Sequence, residues 1–188
     1  MLFRSARAVV LDMRRNLGGS PIELWSVAGA LIANPAAVRN VPRYNPETNS
    51  TIYGWDAEHK AVYTQNATGK KLAEWPVEKP AFWDGPLTVL VDESCASACE
   101  YVCSLIQKSQ RAKIIGTLTA GVGNTDTRRF TLINGAAASM PTIRAQWLDG
   151  NPLPATITPD ILVANNLQEL FETGRDTMLE RALEILKP

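Results

Sequence analysis

Short apolar runs alternate with helix-length amphipathic stretches along much of the chain. Ala6 to Met13 (Ala-Arg-Ala-Val-Val-Leu-Asp-Met) reads as a buried strand. Arg14 to Gly19 reads as a turn. Ser20 is placed to cap a helix, Pro21 suits its first position and Glu23 stands three residues after the cap. That helix should run to about Ala33 and stop at Asn34-Pro35. Leu87 to Val91 is a second apolar strand, followed by a helix pattern from about Ser97 to Ser109. A third strand is expected at Lys113 to Gly116. Two strand–helix–strand steps predict a parallel sheet with right-handed crossovers.

Between and after these units the pattern changes. Residues 36–85 hold possible strands at Val38–Tyr44 and Thr51–Trp55, joined by Asn45-Pro46-Glu47-Thr48-Asn49. The rest of that segment is polar, with Trp55, Trp75 and Trp83 among Pro and Gly, and reads as an insertion or flap. Its tryptophans are expected to pack a small subdomain. After a Gly-rich loop from Thr117 to Thr125, Arg128–Ile133 and Ala136–Met140 flank Asn134-Gly135 as a hairpin. Thr142–Trp147 predicts another strand, Pro159–Val163 a last short one, and Asp176–Leu186 an amphipathic helix.

Composition narrows the function classes. The 188 residues fit one domain, 1–188, with 36–85 as an insertion within it. Lys+Arg and Asp+Glu balance at 19 each, which gives no reason to expect nucleic acid or an anionic membrane surface as partner. No apolar stretch reaches the ~18 residues of a membrane span, so no membrane insertion is expected. The five residues before the first strand are too short for a signal peptide. Oligomeric state is left open.

Cys95-Ala96-Ser97-Ala98-Cys99-Glu100 carries the candidate chemistry. A serine between small residues, where a buried strand gives way to a helix, suits an acyl-transfer nucleophile. The helix start offers unpaired N–H groups and the positive end of a dipole to a developing oxyanion. Gly18-Gly19 closes another strand, and a glycine N–H can be turned towards a ligand. One glycine N–H together with that of Ala98 would make the two halves of an oxyanion hole. Both elements lie at the C-terminal edge of the expected sheet, where open α/β sheets place their sites.

Cys95, Cys99 and Cys103 recur every four residues. On a helix Cys99 and Cys103 would share a face with Cβ atoms ~5–6 Å apart, too far for an easy disulfide. Neither His nor a fourth Cys accompanies them, so they are expected as buried packing residues and no metal or other cofactor is expected.

Four ordered motifs resemble peptidase family S41, the tail-specific or C-terminal processing proteases. They are Asp12-x-Arg14-x-Asn16-x-Gly18-Gly19, Cys95–Glu100, Arg111–Gly116 with Thr119-Ala120-Gly121, and Ile157-Thr158-Pro159-Asp160-Ile161. The resemblance implies an α/β fold with a ClpP/crotonase-like core of ββα units, a largely parallel sheet and a β-rich insertion. It implies Ser97 as nucleophile, Gly18 or Gly19 with Ala98 as oxyanion donors, a peptide or protein substrate, and a periplasmic or extracellular setting.

Two departures qualify it. Where the Ser/Lys branch has its lysine, after Thr119-Ala120-Gly121, this chain has Val122. The tricorn-like branch takes a histidine from upstream of the Asp-x-Arg motif, and its late glutamate corresponds to Leu153 or Pro154. The expectation is therefore a tricorn-like core whose base lies in an upstream lobe. The sole histidine, His59, and Lys70, Lys71 and Lys113 read as surface groups. Glu100 is expected to pair with Arg14 or with helix N–H groups, and Asp160 to order the last turn. A ligand-binding module without catalysis and a crotonase-type acyl-CoA enzyme are the alternatives.

Overall fold

The computed structural model describes residues 6–77 and 81–187. In chain order the elements are β1 (Val9–Asp12), α1 (Pro21–Leu31), β2 (Val38–Pro42), α2 (Pro46–Asn49), β3 (Thr51–Asp56), β4 (Ala61–Asn66), β5 (Lys71–Pro76), β6 (Leu87–Val91), α3 (Ala98–Lys108), β7 (Lys113–Gly116), β8 (Thr125–Thr131), β9 (Ala137–Trp147), β10 (Ile161–Leu162), α4 (Leu167–Thr173) and α5 (Thr177–Ile185).

They form two sheets. One is parallel, in the order β1-β6-β7-β10. The other is antiparallel, in the order β5-β4-β3-β2-β9-β8. All five residues of β6 are buried, as expected of a parallel strand covered on both faces. Val89 and Val91 face a core shared with α1, α3 and the antiparallel sheet. Leu90 and Ile115 face the other side, where Met178 and Ala182 of α5 cover them. Truncating Leu90 to alanine should therefore cost about 2–5 kcal/mol.

Helix α1 starts as its sequence predicts: the Ser20 side chain accepts from the Ile22 N–H at 3.2 Å and Pro21 occupies the first position. At its other end Arg111 donates to the Leu31 carbonyl at 2.7 Å, and to those of Trp83 and Gly85 at 2.8 Å each. Helix α5 is capped by Asp176, which accepts from the Leu179 N–H at 3.0 Å and pairs with Arg14 at 2.8 Å.

Strands β2 to β5 of the 36–85 segment do not stand apart. Through β2 they join β9 edge to edge, so the late hairpin and this segment share one sheet. Its tryptophans pack inward: Trp55 lies flat against Gly29 of α1, where a Cβ would collide with the indole. Trp75 and Trp83 lean on the same core. Strands β4 and β5 and the short helix α4 were not visible in the pattern. Strand β9 is continuous where two strands were expected. Pro141 is accommodated because the β8 pairing shifts at Asp126/Thr127 and β2 reaches β9 only as far as Ile143.

Candidate active site

The two motifs that end β1 and β6 meet at the C-terminal edge of the parallel sheet. The Ala96 N–H donates to the Asn16 carbonyl at 3.0 Å, tying the turn after β1 to the loop before α3. Gly18 lies against that loop. A Cβ on it would come within 2.7 Å of the Ala96 oxygen and 2.8 Å of the Ala98 nitrogen, and its φ is +94°. Only glycine fits both the conformation and the approach.

Ser97 stands at the N-terminus of α3 with φ 56° and ψ −118°. A positive φ in a non-glycine residue is strained by ~1–3 kcal/mol, and such strain is concentrated at functional sites. It leaves Ser97 exposed while its neighbours Cys95, Cys99 and Glu100 are buried.

Glu100, fully buried, holds this turn in place. Its Oε2 accepts from the N–H groups of Ser97 at 2.9 Å and Val122 at 3.1 Å. Its Oε1 accepts from the Thr119 hydroxyl at 2.6 Å and the Gly121 N–H at 2.7 Å. An acceptor-only carboxylate thus meets four donors. Contact with helix N–H groups was one of the two expected roles. The other is corrected: Arg14 is engaged by Asp12 at 2.6 Å and Asp176 at 2.8 Å, leaving Glu100 to bind the Gly-rich loop instead. The Ser-x-x-Glu spacing of a capping box was the available signal.

The backbone donors divide. Gly18 gives its N–H to Asn16 Oδ1 at 2.8 Å. The Ser97 N–H is held by Glu100. The N–H groups of Gly19 and Ala98 have no partner among the described residues, and both residues line a pocket of about 180 Å³ that also contains Ser97. Its walls are Leu24 and Trp25 of α1, Tyr101 of α3, and Asn40, Tyr53 and Asp126 of the antiparallel sheet. Tyr101 donates to Asn40 Oδ1 at 2.7 Å. Burial, with Asp126 adding to it, pushes the Tyr101 hydroxyl well above the usual phenol range.

The cysteines differ from expectation. Cys95 and Cys99 form a disulfide, with Cα atoms 5.7 Å apart. The reason is local: Cys95 lies in the loop before α3, so helical spacing does not govern its distance to Cys99, and the separation suits a disulfide. Cys103 is a buried free thiol, pushed up to about 12 by desolvation and then by Glu100. All three are buried in the main core, as expected, and the Cys103 sulfur lies within 4.8 Å of the other two.

The other ionisable candidates sit elsewhere. His59 is in the β3–β4 turn, 65% exposed, and hydrogen-bonds Asp56 at 2.8 Å. Lys113 starts β7, at the opposite edge of the sheet from Ser97, and pairs with Asp160 at 3.2 Å. Asp160 also accepts from the Ile114 N–H at 2.9 Å, so it joins the last strand to β7. Lys71 pairs with Glu74 at 2.7 Å. No His or Lys among the described residues lines the Ser97 pocket. No helix among them is long and apolar enough to cross a membrane.

Comparison with known proteins agrees with this architecture. The carboxyl-terminal-processing protease of Synechocystis is 30% identical over 135 residues, covering 70% of this chain and 31% of that protein. The carboxy-terminal-processing protease of Bartonella bacilliformis is 29% identical over 174 residues, covering 92% and 34%. The chain thus spans about a third of the length of these curated relatives. The solved photosystem II D1 C-terminal processing protease shares the fold, with a TM-score of 0.56 and 21% identity over 96% of this chain and 39% of that one. The model of peptidase family S41 matches residues 2–163, and the chain belongs to that family.

Proposed function

We propose that this chain is the core of a serine-type peptidase in which Ser97 attacks the substrate carbonyl. The observation that carries the reading is that the N–H groups of Gly19 and Ala98, without partners among the described residues, line one pocket with an exposed, strained serine. The Ser97 Oγ adds to the scissile carbonyl, and the negative charge that develops on its oxygen is met by the N–H of Ala98 at the positive end of α3 and that of Gly19 in the turn after β1. The base takes the Ser97 hydroxyl proton and returns it to the amine as the adduct collapses and the C–N bond breaks, which leaves an acyl-serine. Water then cleaves the ester, releasing the carboxylic acid and restoring the serine hydroxyl. Gly18 serves by its shape and not by its N–H, which Asn16 already holds.

A serine hydroxyl needs a base to become nucleophilic. With Val122 after the Gly-rich turn, and with no described His or Lys in the pocket, we assign the base to residues outside this chain, as in the tricorn-like branch. The names of the relatives fit a peptide or protein substrate cut near a C-terminus. The Cys95–Cys99 disulfide fits an oxidising compartment such as the periplasm or cell exterior.

The same lack of a base among the described lining residues favours one second reading, a family member that binds peptides or other ligands without cleaving them. A fluorophosphonate probe separates the two. The probe is applied to the full-length protein, because the isolated 188-residue core, without its base, is expected to be inactive. A peptidase is labelled at Ser97 and loses labelling in Ser97→Ala, whereas a binding module is labelled in neither.

A further inference from the structure

We propose that the pocket beside Ser97 is a subsite for a substrate side chain bearing a positive charge, lysine or arginine, with Asp126 as its counter-charge. The inference rests on the peptidase reading of Ser97, because a carbonyl held by Gly19 and Ala98 would leave the adjoining side chain over this pocket.

Size comes first. At about 180 Å³ the pocket is smaller than the ~300–1,000 Å³ typical of small-molecule sites, and it suits one amino-acid side chain. Its lining is chemically mixed in a particular way. Leu24 and Trp25 are buried apolar groups able to cover the methylene stem of a long side chain. Tyr53 and Tyr101 add two aromatic side chains to the lining, a residue type that attracts cations. Asp126 is the only formally charged group among the described lining residues.

Asp126 is exposed at the mouth of the pocket, and strand pairing explains why no arginine of the sheet neutralises it. Asp126 is opposite Ile143, Ile143 is opposite Pro42, and Tyr53 is opposite Val38. Because side chains alternate along a strand, Asp126, Asn40 and Tyr53 share one face of the antiparallel sheet. Arg144, opposite Thr125 and Val41, and Arg39, opposite Gln146, belong to the other face. Asp126 has no ion-pair partner among the described residues; its Oδ1 accepts only from its neighbour, the Thr127 N–H at 2.8 Å. Its field reaches the pocket walls, since it adds to the burial that raises both the Tyr53 and the Tyr101 hydroxyls. An acidic side chain would meet the same field as repulsion.

The test is binding of fluorescent hexapeptides, Ala-Ala-Ala-X-Ala-Ala, to the Ser97→Ala chain by anisotropy at low salt, with X as lysine, arginine, norleucine or glutamate. Norleucine keeps the stem and removes the charge. Lysine and arginine should bind about fivefold tighter than norleucine, the scale of one partly exposed ion pair, and glutamate weakest. Asp126→Asn should bring lysine and norleucine together within twofold, and Asp126→Lys should favour glutamate. Equal binding of lysine and norleucine, a lysine preference that survives Asp126→Asn, or no binding of any peptide would overturn the subsite. Fluorophosphonate labelling of the unsubstituted protein reads the nucleophile separately. Labelling without lysine preference sinks the subsite alone; lysine preference without labelling sinks the peptidase reading alone.

Discussion

Glu100 accepts the backbone N–H of Ser97 at 2.9 Å, and the same carboxylate reaches the Thr119 hydroxyl at 2.6 Å. One buried side chain therefore fixes the turn that presents the serine and the Gly-rich loop beside it. Glu100→Gln should destabilise the chain by about 2–4 kcal/mol, because the amide NH₂ would face at least one backbone N–H with no acceptor between them. Urea unfolding at neutral pH checks this. A midpoint unchanged from wild type would show that the four hydrogen bonds do not govern the site.

Gly18 and Gly19 adjoin in sequence but should respond differently to alanine. At Gly18 a Cβ meets backbone atoms at 2.7–2.8 Å and φ is +94°, so Gly18→Ala should cost roughly 2–4 kcal/mol and abolish labelling of Ser97. At Gly19 nothing lies within 4 Å of the added Cβ. Gly19→Ala should stay within about 1 kcal/mol of wild type. Melting curves of the two variants decide it, and equal losses would contradict the geometry.

The Cys95–Cys99 disulfide brackets Ser97. Replacing both cysteines with alanine should cost about 2 kcal/mol on the loop-closure estimate for so short a loop. Thiol titration should find no reactive thiol in the native chain and one per chain after denaturation, that of Cys103. Three thiols in the denatured, unreduced protein would rule the disulfide out.

Asp176 is subject to opposing effects. Burial raises its carboxyl, but the Leu179 N–H, Arg14 and Asn165 together bring it below the ordinary value of 3.8. A carboxyl whose folded pKa is depressed contributes stability above the unfolded value, and that contribution is lost as pH falls through the folded one. Asp176→Asn should therefore be less stable than wild type at pH 7, by about 1 kcal/mol, with the gap closing below about pH 3.8. A gap that stays constant to pH 2 would contradict the assignment.

Much of this was legible in the residues. The apolar runs at Val9–Asp12, Leu87–Val91 and Lys113–Gly116 became the parallel strands. Central β6 is buried throughout, as its unbroken apolar run requires, whereas β1, expected to be buried, is half-buried because it lies at the sheet edge. Ser20, Pro21 and Glu23 marked the start of α1 because its orphan N–H groups need such residues. The joining of the 36–85 strands to β9 was not legible, since register between distant strands depends on tertiary pairing. Nor was the disulfide, because helical spacing speaks only to Cys99 and Cys103, and the distance from Cys95 to Cys99 is set by the loop before α3. Asp126 went unnoticed as a pocket group because it lies in a polar run, and only strand alternation places it on the inner face.

The central claim is that Ser97 is the nucleophile. The most direct test is fluorophosphonate labelling of the intact protein encoded by the full reading frame, with the modified peptide identified by mass spectrometry. The account predicts one adduct per chain, on Ser97, and none in Ser97→Ala. Absence of an adduct, or an equal one in both proteins, would contradict it.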